Sequence, residues 1–130
     1  MTRYLISFND GAMDHIPDED MPAVAQAAHA VVQEALNAGV YLFSGGLDFQ
    51  RPSVVAPDGS VTDGPYPQTK DLSGGFTVID VPTREAALEW AAKIAVACRC
   101  AQEVREFGPD PELDEMLRQA DSRRRRPDDV

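Results

Sequence analysis

From its N-terminus the chain sets large apolar residues against smaller or polar ones. "RYLISFN" (3–9) turns Tyr4, Ile6 and Phe8 one way and Leu5 the other, which predicts a first β-strand. An acidic loop with two prolines follows (10–22). From Ala23 to Ala38 the apolar period becomes helical. Val24, Ala28, Val31 and Ala35 form one row, Ala25, Val32 and Leu36 lie beside it, and Gly39 is placed to end the helix. "VYLFSGGLDF" (40–49) predicts a second strand that runs into a glycine break. "SVVAPDGSVTDG" (53–64) predicts two short strands around Asp58-Gly59, the strongest hairpin signal in the chain. "GGFTVIDV" (74–81) is a further strand. Thr83 is placed to cap a second helix that runs to about Ala97, with Ala87, Leu88, Ala91, Ile94 and Ala95 on its apolar side. "AQEVREF" (101–107) predicts the last strand. Residues 108–130 read as a linker, a short helix and a polar tail.

The order is strand, helix, strand, hairpin, strand, helix, strand. It predicts an α+β protein of the ferredoxin-like sandwich type, with one domain over 1–107 and an appended helix and tail over 108–130. The strand at 76–81 points Phe76 and Val78 to one side and Thr77, Ile79 and Val81 to the other. Both sheet faces therefore carry apolar side chains, and two helices cover only one face. The simplest cover for the second is another copy of the same sheet, so a homodimer of the dimeric α/β-barrel type is expected, with a pocket between or beside the sheets.

Composition narrows the partners. The 130 residues suit one ordinary core. Residues 1–117 hold 7 basic and 19 acidic groups, whereas 118–130 hold 5 basic and 3 acidic ones. A body with net charge −12 repels a phosphate backbone, so direct nucleic-acid binding by the fold is not expected. The run Arg123 to Arg126 reads as a solvated tail. Cys98 and Cys100 stand two apart, an awkward span for a disulfide, and they are too few for a structural zinc site. Reduced thiols, a cytoplasmic chain without a signal peptide and no membrane span are the expectations. The sequence shows no phosphate loop, nucleophile elbow, heme motif or flavin motif, so neither cofactor nor metal is expected.

With the segments in order, the chain resembles the YCII-related proteins, in the subgroup called the DGPF domain. The resemblance is carried by "VTDGPYPQTKDLSGGFTVIDV" (61–81), with Tyr66 where the motif's phenylalanine would stand. "NAGVYLFSGGL" (37–47), "EAALEWAAKIA" (85–95) and "QEVREF" (102–107) also carry it. It extends over residues 1 to about 107 and implies a ferredoxin-like fold in a dimer. It implies a suspected enzymatic role resting on a histidine and an aspartate. It also implies, as an alternative, an accessory or sensing module linked to sigma-factor-dependent transcription, with a transcription-related protein as partner. The family spacing puts its histidine at Ala28, one residue before His29.

Five side chains are candidates for a site. Asp63 reads as a turn carboxylate that accepts backbone amides before Pro65, or as a general base at the rim of a pocket. His29, beside Ala25, Val32 and Leu36, reads as a partly buried histidine or as a base. Lys70, Tyr66 and Arg105 are candidates to bind a small organic ligand, Lys70 and Arg105 through anionic groups. His15 with Asp14, Asp18, Glu19 and Asp20 carries metal-ligand chemistry, but its spacing matches no metal loop and it reads as a solvated acidic loop. Convergence of Asp63 and His29 in a concave pocket would favour catalysis, and an apolar pocket without converging groups would favour binding alone.

Overall fold

A computed structural model describes residues 2–9, 11–48, 50–64 and 74–124. Four strands form the main sheet: β1 (Thr2–Phe8), β2 (Tyr41–Gly46), β5 (Gly75–Val81) and β6 (Glu103–Glu106). Their spatial order is β2-β5-β1-β6, and every neighbouring pair is antiparallel. Two helices, α1 (Met21–Asn37) and α2 (Arg84–Cys98), connect strands that are not neighbours. β1 and β2 flank β5, while β5 and β6 flank β1. This split arrangement is the ferredoxin-like α+β fold. The hairpin of β3 (Ser53–Val55) and β4 (Val61–Asp63) forms a separate two-stranded sheet. Its turn is fixed by Gly59 at φ 88° and by the Ser60 amide, which donates to the Asp58 carboxylate at 2.9 Å.

Local chemistry accounts for the helix ends. The Thr83 hydroxyl accepts from the Ala86 amide at 3.1 Å, the N-cap that its position predicts. α1 begins at Met21, two residues before the apolar period, because Pro22 is tolerated in a first turn where its missing N–H is not needed. Of the two rows on α1, the one with Val24, Ala28, Val31 and Ala35 turns inward, with Val24 and Ala35 buried. Leu36 of the neighbouring row is exposed. Leu88, expected on the apolar side of α2, is exposed as well. A narrow stripe of small residues suffices because alanines let the helices approach the sheet closely.

The core lies between the sheet and the helices. Tyr4 and Ile6 of β1 and Ile79 and Val81 of β5 are buried against Ala87 and Ala91 of α2. The alternation seen in the sequence then sends Leu5, Phe76 and Val78 to the other face, joined by Phe43 of β2 through the register Phe43↔Val78. Phe43 and Phe76 have ring centroids 6.1 Å apart, and Phe43 is 60 % exposed. Among the described residues, no helix packs across this face. One buried oxygen, Oδ1 of Asp80, lies on it without a hydrogen-bond partner among the described residues.

A third helix, α3 (Pro111–Arg124), follows β6. It runs further than the short helix expected. Its range takes in Arg123 and Arg124, in keeping with the good helix propensity of Arg, whereas Arg125 and Arg126 lie outside the described residues. A same-helix pair, Arg118 with Glu115, supports it. No helix among the described residues is long and apolar enough to cross a membrane.

Candidate functional site

The helix pair does not seal evenly on the sheet. Over β2 and β5 a cavity of about 260 Å³ remains. Its roof is Ala28, His29, Val32 and Ala35 of α1 with Trp90, Ile94, Ala97 and Cys98 of α2, and its floor is Tyr41, Ser44, Thr77 and Ile79. Sequence explains the space. Both helices present alanines to it, so little side-chain volume fills the gap above β2. Phe8 completes the wall. The glycines at the start of β5 have a steric role. A methyl group on Gly74 would stand 2.5 Å from the Asn9 carbonyl oxygen and 2.7 Å from that of Phe8, and one on Gly75 would meet the Phe8 ring at 2.9 Å.

The cavity is lined mainly by carbon, with a few polar atoms. The Tyr41 hydroxyl and Ser44 Oγ share a hydrogen bond of 2.7 Å, half-buried in the floor. Thr77 adds a third hydroxyl. Cys98 and Cys100 carry free thiols. Burial pushes the Cys98 thiol above its ordinary range, which keeps it protonated near neutral pH and argues against a thiolate nucleophile. Burial raises Cys100 too, although Gln102 donates to its sulfur at 3.5 Å. The two thiols face different places, because Arg99 between them takes a left-handed conformation at φ 57°. Cys98 faces the cavity beneath the helix pair. Cys100 faces a shallower depression with Ser7, Asn9, His15 and Glu103. Among the described residues, no group of three or more His, Cys, Asp and Glu is arranged to hold a metal ion.

The structure separates the candidates named from sequence. His29 is on the cavity wall, and so is Ala28, so the one-residue offset does not turn the imidazole away, but His29 is exposed where its apolar neighbours predict partial burial. Asp63 is not on that wall. It ends β4 on the hairpin, where its carboxylate is 3.5 Å from Arg51 Nη1, with both side chains about three-quarters exposed. Residues 65–73, which follow it, lie outside the described residues. Among the described residues no backbone amide is bonded to this carboxylate, and its partner is Arg51 in that exposed ion pair, worth ~0–1 kcal/mol. Gly64 beside it bonds Pro52 through the backbone, N to O at 2.7 Å. Arg105 faces the open side of the sheet opposite Leu5 and pairs with Glu103. Tyr66 and Lys70 lie outside the described residues. Sequence reasoning did not single out Trp90, Tyr41 or Ser44.

The model of the YCII-related domain matches residues 4–107. The chain belongs to the YCII-related family. The match spans every strand of the sheet and both helices that roof the cavity, and α3 lies beyond it. No curated protein matches the sequence.

Proposed function

We propose that this YCII-related protein is a homodimer that binds a small, largely apolar organic molecule in the cavity between the helix pair and the β2–β5 half of the sheet. The observation that carries this reading is the cavity itself: an apolar enclosure with one polar corner at Tyr41 and Ser44. A volume of about 260 Å³ suits a ring with a short substituent. The hydroxyls and His29 are placed to orient a polar end of the ligand, and His29 is the side chain here suited to move a proton. Asp63 stands apart from it in the same chain, which favours binding over chemistry by that pair. The DGPF-type assignment belongs to this proposal too. No observation favours a transcription-linked module. The dimer is supported by the open apolar sheet face, on which Phe43 is exposed beside Phe76.

Trp90 is the single tryptophan and lines the cavity, so its fluorescence reports on occupancy. Titration with benzyl alcohol is expected to give a saturable change in Trp90 emission. Ala28→Phe, which fills the wall, is expected to weaken it at least tenfold while circular dichroism stays unchanged. Benzoate is expected to bind more weakly, because the apolar wall penalises its charge. A linear, unsaturable response, or equal binding by the folded Ala28→Phe variant, would count against the reading.

A further inference from the structure

α3 leaves the fold with an unused apolar stripe. Leu113, Met116 and Leu117 share one helical face, and all three are exposed. The helix is tied to its own body by Arg3 Nη1, 2.7 Å from Asp114 Oδ1, and by the Phe107 amide, which donates to the Arg3 carbonyl at 3.0 Å. Arg3 alternates with the buried Tyr4, so it projects on the open side of the sheet. α3 therefore starts on that side, at the β6 edge. The opposite edge has a matching need. β2 exposes Leu42, Phe43 and Leu47 at and beyond its end, beside an unpaired strand edge. The mouth of the cavity is at this same edge, because Gly45, Gly46 and His29 of its wall are exposed while Ile79, Ala35 and Ala97 are buried.

Within one chain the two edges are separated by three strand spacings, about 14 Å. In a face-to-face pair whose two-fold axis runs along the strands, the β6 edge of one copy lies over the β2 edge of the other. We infer that α3 is an exchanged arm, which packs Leu113, Met116 and Leu117 on the β2 edge of a second copy, beside the mouth of that copy's cavity. The inference rests on the dimer reading above. Charge favours a second copy as the occupant. Residues 1–110 carry net −9, whereas the end of α3 from Arg118 to Arg124 carries net +2, counting Arg118, Arg123 and Arg124 against Asp121, so each arm brings its basic end to an acidic body although its first turns hold Glu112, Asp114 and Glu115. Each cavity is then flanked by residues from both chains.

The test is cross-linking of co-expressed full-length copies in which Cys98 and Cys100 are replaced by serine. One copy carries Leu117→Cys, the other Leu42→Cys, and a short bismaleimide is added. A covalent dimer of the two different copies is expected, in at least tenfold higher yield than from either copy alone. A chain carrying both changes is expected to cross-link between copies. Linkage within one chain would overturn the inference, because α3 would then lie on its own sheet. Dimer mass by sedimentation without a cross-link between positions 42 and 117 would overturn the arm and leave the dimer standing. Monomer mass would overturn both.

Discussion

Val78→Asp is expected to turn the protein from a dimer into a folded monomer at micromolar concentration, read by sedimentation equilibrium. Val78 sits in the middle of the open face, paired in register with Leu5 on one side and Phe43 on the other. A two-fold axis places the substitution in each dimer twice. Two carboxylates buried without partners cost roughly 4 kcal/mol or more, about a thousandfold in dissociation constant. The monomer is expected to keep its stability to within about 1 kcal/mol, because Val78 points away from the cluster of Tyr4, Ile6, Ile79 and Val81. A variant that stays dimeric would place the interface elsewhere, and a monomeric wild type would remove the dimer altogether.

The second large effect is expected at Gly74. Gly74→Ala places a methyl group 2.5 to 2.7 Å from Asn9 O, Phe8 Cδ2 and Phe8 O, and two of these are backbone oxygens of the adjacent chain segment. The segment must shift where β5 begins against the end of β1, at a cost of about 1–3 kcal/mol in urea unfolding. Truncating the ring with Phe8→Ala in the same chain is expected to restore little, because the two carbonyl oxygens remain. Full rescue by Phe8→Ala would mean that the ring alone sets the limit. This gives the glycine pair before β5 a steric reason independent of any chemistry in the preceding segment.

Much of the fold was legible because it depends on local rules. The Asp58-Gly59 turn needs a residue at positive φ and an Asx acceptor, and both are visible in two letters. The Thr83 cap, the alternation along β5 and the order of the elements fixed the split sheet. The limits were tertiary. Sequence spacing shows two candidate rows on α1 but not that Val24 and Ala35 turn inward while Leu36 stays in water. β2 departs from plain alternation because its register against β5 shifts between Tyr41 and Phe43. The candidate site was less legible than the fold. His29 meets Trp90 and Cys98 through the packing of α1 on α2, across some sixty residues of chain, and no local pattern encodes that meeting. Asp63 was a candidate partner for His29 because the family resemblance implies a site with a histidine and an aspartate. The hairpin instead holds it in a separate sheet with Arg51. The arginine run was read from charge alone, whereas helix propensity and the Glu115–Arg118 pair extend α3 into it.

The most direct test of the central claim is a two-dimensional amide NMR titration of the full chain with benzyl alcohol. Saturable shifts are expected to concentrate in residues 28–35 of α1, 41–46 of β2, 76–79 of β5 and 90–98 of α2, and to vanish in Ala28→Phe. Shifts absent from the helix segments 28–35 and 90–98, or confined to the strands and centred on Leu5 and its β1 neighbours, would contradict a ligand cavity beneath the helix pair.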